Sequence, residues 1–246
     1  MNIFGDIGYL FSNYWELYLS GLASTLILSI IGTVVGLLIG ILLAFGRNIP
    51  VLGGFCKAYS IIIRGTPMMV QALIFKYVCQ IVFKINWNNV LPGVNVLNGW
   101  LIAGLVVITF NTAAYMCEIV RSGLNGVDKG QVEGAKSLGM TNFQTLIHVT
   151  LPQAIRNSLP TIGNEWVVNI KDSSVLNVIG VTELFAMAEQ SVNSNYKFVA
   201  AYIIIAAIYL ILTLGATGLL KLVENKMDGK KFKFSLFHFN KNEGAN

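Results

Sequence analysis

Hydrophobic residues fill five long runs of this chain, and the stretches between them are short and rich in Gly, Asn, Lys and Arg. A helix needs about 20 mainly apolar residues to cross the hydrocarbon of a bilayer. The runs at about 17–46, 55–83, 99–120, 159–179 and 198–223 meet that length. The pattern therefore predicts an all-α integral membrane protein with five transmembrane helices, forming a single transmembrane domain over residues 1–246. An odd number of crossings puts the two termini on opposite sides of the membrane.

Between the third and fourth runs, over about 121–156, the pattern becomes polar and rich in capping residues. Asp128 with Gln131, and Thr141 with Gln144, stand at the spacing of a capping box, in which side chains satisfy the orphaned amides at a helix start. Two short helices are expected there. Gly139, in the intervening "LGMT", fits the left-handed position just past a helix end. Pro152 is expected to stop the second helix and turn the chain back to the membrane. Val132, Ala135, Phe143, Leu146 and Ile147 recur at three- and four-residue steps and give the short helices an apolar stripe. That stripe fits two uses, packing on the protein's own spans and headgroups or docking into a groove of a cytoplasmic partner.

Composition agrees with the membrane class: of 246 residues 54% are hydrophobic and only 12% charged, against roughly 25% charged in soluble domains. The net charge of +5 would suggest nucleic acid in a soluble protein, but here placement decides, and no nucleic-acid partner is expected. Arg47 and Lys57 in the first loop, Arg121, Lys129, Lys136 and Arg156 in the third, and Lys221, Lys226, Lys230, Lys231, Lys233 and Lys241 near the end fall on one side. The other side holds Lys84 and Lys197, while Arg64, Lys76 and Lys171 lie inside runs. By the positive-inside rule the N-terminus is outside, and the polar loop and C-terminus are cytoplasmic. The first run follows "GDIGYLFSNYWE" and is too long for the core of a cleavable signal, so none is expected. The basic tail, 226–246, alternates Lys and Phe near its middle; it reads as a frayed end or as a segment lying on anionic membrane lipid.

Polar residues inside spans are costly and face the protein interior or water. Asn157, Thr161, Glu165, Asn169 and Asp172 recur every three or four residues and make one polar stripe in the fourth run. It reads as an interhelix contact, with Lys171 pairing a carboxylate, or as the lining of a hydrated passage. In the second run Gly65 and Pro67 interrupt the helix and free backbone groups, with Thr66 and Gln71 beside them. Arg64 reads as a structural pair or a side chain reaching for the headgroups. Glu118 and Arg121 are spaced to pair with each other. Gly32, Gly36 and Gly40 make two overlapping GxxxG steps, suited to close helix packing within a subunit or across a dimer. Cys56, Cys79 and Cys117 form no metal or redox pattern and read as small packing residues. With His148 and His238 the only histidines, and no HExxH, GxSxG or paired-Asp motif, no catalytic residue and no metal site is expected.

Glu133-Gly134-Ala135, three residues, Gly139, nine residues, then Val149-Thr150-Leu151-Pro152 resembles the EAA loop of ABC importer permeases. That family's pattern is Glu-Ala-Ala, three residues, Gly, nine residues, then Ile-x-Leu-Pro. Gly134 and Val149 are the departures, each small or isosteric. "RGTPMMVQ" (64–71) and "NEWVVNIKDSSVL" (164–176) resemble motifs of the polar amino-acid uptake subfamily of the type I importer fold. The resemblance implies a permease of the bacterial cytoplasmic membrane, paired with two copies of a cytoplasmic ABC ATPase and fed by an extracellular or periplasmic substrate-binding protein. It also implies a second permease copy, with a homodimer the economical arrangement. ATP and Mg would be bound by the partner, since this chain has no GxxxxGK[ST] loop; no cofactor is expected on it.

On this basis the ATPase-coupling residues are Glu133, Gly134, Ala135, Gly139, Thr141, Phe143 and Pro152, with Glu133 either pairing with a base of the ATPase or simply favouring its own helix dipole. The substrate pathway is assigned to Gly65, Thr66, Gln71, Thr161, Asn164, Glu165 and Asp172. Donors near Gly65 and Thr66 suit an amino acid's carboxylate, and Asn164 and Glu165 suit its ammonium or a cationic side chain. An ion-coupled carrier or channel would use the same stripe, and an intramembrane enzyme is the remote alternative.

Overall fold

The computed structural model describes residues 2–90, 98–193 and 195–227. Most of the basic tail, and part of the segment before the third apolar run, lie outside the described residues. Nine α-helices are described: α1 (Ile3–Gly46), α2 (Leu52–Gly65), α3 (Met68–Ile81), α4 (Gly99–Asn125), α5 (Lys129–Ser137), α6 (Asn142–Thr145), α7 (Leu151–Asp172), α8 (Leu184–Val192) and α9 (Phe198–Met227). Tight 3-10 turns cover Trp87–Asn89 and Ser173–Ile179, and a π turn covers Leu146–Thr150.

Three helices, α1, α4 and α9, are each long and apolar enough to cross a bilayer, and α2 and α3 qualify as a pair bent by 110°. The fourth apolar run of the sequence becomes α7 and the 3-10 turn after it, and α7 is too polar to qualify on composition. Its neighbours compensate, since α1, α4 and α9 all pack against it.

The first run is longer than its hydropathy suggests. Helix α1 starts at Ile3, where Asn2 accepts a hydrogen bond from the Gly5 amide at 3.1 Å. Its early turns present Leu10 and Tyr18 to a buried cluster with Leu184, Ala188 and Ala201, which gives a mixed-polarity stretch a reason to stay helical. At 44 residues α1 is about 66 Å long, roughly twice the hydrocarbon thickness. The Lys197 ammonium pairs with Asp6 and ties the start of α9 to this end.

The glycine steps of α1 face α4. A Cβ on Gly32 would stand 2.8 Å from Ile108, one on Gly36 2.8 Å from Thr112, and one on Gly40 2.5 Å from Met116. Both sets of positions advance by four, so α1 and α4 run parallel with their backbones almost touching. The open choice between packing within the chain and across a dimer is resolved in favour of the chain.

Asn169 of α7 reaches into this seam. Its amide nitrogen donates to the Thr33 hydroxyl at 2.8 Å and to the Thr112 hydroxyl at 3.0 Å, so one buried side chain joins three helices. Ser158 lies against Ile119 while Asn169 lies against Thr112, which makes α7 antiparallel to α4. Ser60 of α2 contacts Ala114, and Gln71 of α3 contacts Asn111, so the bent pair also runs against α4.

Helix α8 fills the space between α1 and α9. Its cap, Glu183, is fully buried, yet it accepts from the amides of Phe185 and Ala186 at 2.9 Å and from the Tyr209 hydroxyl at 2.8 Å. Those donors stand in for water around the carboxylate. Cys56, Cys79 and Cys117 are buried free thiols, as expected of packing residues.

Because the seam has no room for a side chain, Gly40→Ala should destabilise the folded protein by about 1–3 kcal/mol. Gly215→Ala on α9, where a Cβ meets nothing within 4 Å, should be neutral. Thermal unfolding in detergent tests this, and equal midpoints for the two variants would contradict the seam.

Candidate functional site

The polar loop folds as its capping residues require. The Asp128 side chain accepts from the Gly130 amide at 2.7 Å and the Gln131 amide at 3.3 Å and starts α5. At the other end the Met140 amide bonds the Ala135 carbonyl at 3.2 Å and the Gly139 amide bonds that of Lys136 at 2.9 Å. Gly139 has φ +83°. This is the Schellman arrangement, and it needs a residue at ease in the left-handed region. One residue on, Thr141 and Gln144 form a full capping box. The chain is thus turned between α5 and α6 by backbone-directed bonds alone.

Pro152 behaves differently from the expectation. It does not end a helix or turn the chain; it sits in the first turn of α7, and helical backbone continues from Asn142 to Ile179. The π turn at Leu146–Thr150 widens the hydrogen-bond ladder immediately before it. A proline in the first turn of the next segment has no amide to lose there.

The apolar stripe divides. Ala135 is buried, whereas Phe143 is 71% exposed and Leu138, which the stripe omitted, is 85% exposed. Glu133 is exposed and has no ion pair among the described residues. A Cβ on Gly134 meets nothing within 4 Å, so glycine is not required where the family pattern has alanine. Gly134, Ala135 and Leu138 border a shallow cavity of about 340 Å³.

The second polar region centres on α7. Thr161 and Asn164 are exposed, Glu165 and Asp172 partly buried, and none of the four has a side-chain hydrogen bond or ion pair among the described residues. Asn169, from the same stripe, is taken up by the helix joint. The stripe is therefore both of the things it fitted: an interhelix contact at Asn169 and an open polar face elsewhere. Lys171 is exposed and in no ion pair among the described residues.

The break in the second run falls at Gly65-Thr66-Pro67, with Thr66 extended at φ −121°, ψ 145° as a residue before proline prefers. Gln71 holds the break together. Its amide nitrogen donates to the Ile63 carbonyl at 2.7 Å and the Thr66 carbonyl at 3.0 Å, and its oxygen accepts from Asn111 at 3.0 Å. The Thr66 hydroxyl is bonded to the Ile62 carbonyl at 2.8 Å. A Cβ on Gly65 would meet nothing within 4 Å, so the space beside it is open.

Glu118 does not pair with Arg121. Its carboxylate is bonded to Arg47, accepts from the Ser60 hydroxyl at 2.9 Å and stands 3.8 Å from the Arg64 guanidinium, which also lies 5.5 Å from the Tyr115 ring centroid. Arg47 is 71 residues away in sequence, so no local spacing could reveal the pairing. Glu118, Ser122, Asn157 and Thr161 line a cavity of about 560 Å³ between α4 and α7.

Comparison with known proteins gives this arrangement its family. The model of binding-protein-dependent transport system inner membrane components matches residues 36–229. The probable amino-acid permease protein YxeN of Bacillus subtilis (strain 168) is 33% identical over 222 residues, covering 87% of this chain and 95% of that protein. The glutamine transport system permease protein GlnP of Escherichia coli (strain K12) is 32% identical over 213 residues, covering 86% and 93%. The crystal structure of an amino acid ABC transporter with histidines superposes with a TM-score of 0.78 at 36% identity, covering 87% of this chain and 96% of that one. These likenesses are to transporter subunits, not to enzymes, and the permeases of such importers work with an ATPase and a substrate-binding protein. The chain belongs to the family of binding-protein-dependent transport system inner membrane components and is the permease subunit of an amino-acid ABC transporter.

Proposed function

We propose that this chain carries a polar or basic amino acid into the cell across the bacterial cytoplasmic membrane, by alternating access driven by ATP hydrolysis on a separate subunit. The observation that carries the reading is the unbroken helical path from α6 through α7. Phe143, exposed on α6, and Glu165, on the polar face of α7, are parts of one rod about 33 Å apart along its axis. A push on the loop is then carried to the polar face along one continuous helical path, which the π turn widens at Leu146–Thr150 and in which Pro160, inside α7, removes one backbone hydrogen bond.

The reading takes the chain across the membrane five times. The bent pair α2–α3 and α7 both run against α4, and α1 runs with it, so α1, α2–α3, α4, α7 and α9 read as alternating traverses. With the basic loops inside, the N-terminus is external and α5 and α6 are cytoplasmic. Leu138 and Phe143 then offer apolar side chains to a groove of the ATPase, with Glu133, Gly134, Ala135, Gly139, Thr141 and Pro152 fixing the shape that presents them. Two ATPase copies holding ATP and Mg, a second copy of this chain and an external binding protein complete the assembly.

In the pathway, Thr161, Asn164, Glu165 and Asp172 supply acceptors for an ammonium or a cationic side chain, while the open backbone at Gly65 and Thr66 suits a carboxylate. Gln71 contributes by holding the break open, its amide nitrogen being taken up by Ile63 and Thr66.

Burying a phenylalanine is worth about 1.5–3 kcal/mol, so Phe143→Asp should weaken ATPase binding by tenfold or more. Membrane insertion should be unchanged; copurification of the ATPase and labelled amino-acid uptake both read the effect, and normal uptake by the variant would refute coupling through α6. At the pathway, Glu165→Gln should lower uptake of cationic relative to neutral amino acids by on the order of tenfold, one charge interaction of about 1.4 kcal/mol. An unchanged ratio across a cargo panel would remove Glu165 from the site.

A further inference from the structure

The polar face of α7 poses a problem that amino-acid transport does not by itself solve. Two carboxylates, Glu165 and Asp172, stand without ion-pair partners among the described residues, in a bundle whose neighbours are largely apolar. Four residues from Glu165 comes Thr161, then Asn157, and both open into the 560 Å³ cavity shared with Glu118 and Ser122. Carboxylates joined by hydroxyls, an amide and a cavity roomy enough for many waters make a track that a hydrated potassium or sodium ion would follow. A membrane charged negative inside would drive such ions inward at each cycle.

Arg64 occupies the junction of this track. It belongs to the last turn of α2, immediately before the Gly65-Thr66-Pro67 break. Its guanidinium lies 3.8 Å from Glu118 at the cavity and over the Tyr115 ring at 5.5 Å, and it is within electrostatic reach of Glu165. The fold does not need this charge for neutralisation. Glu118 is already bonded to Arg47, whose side chain is 10% exposed, and to Ser60. Arg64 is held loosely by comparison, 43% exposed and beyond ordinary hydrogen-bond distance from the carboxylate.

We propose that Arg64 is an electrostatic barrier that keeps inorganic cations from crossing the membrane along the polar face of α7. A fixed guanidinium cannot lose its proton, so its repulsion persists at every physiological pH. At about 8 Å and an effective dielectric constant of about 20, one positive charge lowers the occupancy of a monovalent cation by about 30-fold. Pore-lining arginines exclude cations by the same effect. The side chain's long stem and its place beside the break in the second span let it move aside with α2 when cargo passes, while Arg47 keeps Glu118 neutralised. Residue 64 is thus assigned a part in selectivity: it prevents ion flow and need not contact cargo. The proposal rests on the permease reading for the membrane placement of α7, and its test does not require transport of any cargo.

The complete transporter containing this chain is reconstituted into potassium-loaded liposomes, and potassium loss is followed with a sensitive dye without ATP or amino acid. Wild type should be tight, Arg64→Gln should leak at least tenfold faster, and Arg64→Lys, which keeps the charge, should be tight. Arg64→Gln as tight as wild type overturns the proposal, as does equal leakage from Arg64→Lys, which would trace the leak to loosened packing. ATP hydrolysis by each preparation reports whether the complex has assembled. Amino-acid uptake by wild type in the same vesicles tests the permease reading separately, since a tight bilayer without uptake would sink that reading and leave the barrier standing.

Discussion

Contact between the backbones of α1 and α4 sets the rotation of everything else in the bundle. The three glycines spaced by four let the helices approach until Ile108, Thr112 and Met116 lie where side chains of α1 would have been. At that separation Thr33 and Thr112 are close enough for one asparagine to bond both, and Asn169 does so. In a bilayer there is no water to satisfy an amide left alone, so α7 is locked with Asn169 toward the seam. Residues four before and three after Asn169 lie within about 60° of it around the helix. Glu165 and Asp172 are therefore held on the side of α7 that carries Asn169. The placement of a polar face thus follows from the absence of side chains on another helix.

The same economy applies at the loop. Its two turns are closed by backbone amides, Asp128, Thr141 and Gln144, and none depends on burying a large side chain. Leu138 and Phe143 are left outside as a result. An exposed leucine and phenylalanine on a capped, stiff turn cost little in folding and suit a partner's groove. The π turn accepts Pro152 without breaking the helix, so helical backbone extends from this turn into the bundle, with one hydrogen bond missing at Pro160.

Much of the architecture was legible in the sequence because it is local. The apolar runs located the starts of α4 and α9 and fell short of their ends at Asn125 and Met227, the capping spacings located α5 and α6, and Gly139 announced its positive φ. Gly65 and Pro67 marked the break. Long-range chemistry was not legible. The partner of Glu118 was read as Arg121, the nearest spacing available, but the bundle brings Arg47 and Arg64 to it from two other helices. Pro152 was misread because proline usually ends a helix, and a π turn preceding it leaves no sequence signature as firm as a cap. The extra turns of α1 were missed for a related reason: "GDIGYLFSNYWE" is too polar to register as a span, and its apolar side is evident only once α8 and α9 are there to cover it.

The ionised groups of the bundle divide by how they are held, and the division separates structure from function. Glu183, entirely enclosed, is ringed by two amides and a hydroxyl; Glu118 is bonded to an arginine and a serine; Asp6 has a lysine. Each carboxylate joins helices, and each has its compensation built in. Glu165 and Asp172 join nothing and have no hydrogen bond or ion pair among the described residues, only the more distant charges of Arg64 and Lys171. A charged side chain at the centre of a membrane helix costs about 2.5–3.5 kcal/mol, a large fraction of the 5–15 kcal/mol by which a domain is usually stable, so even part of that cost matters. A fold that carries this cost needs surplus stability elsewhere, and the glycine seam with its asparagine joint is one place where two backbones pack closely and a buried amide bonds two other helices. The tight half of the bundle thus permits the other half to leave its charges open.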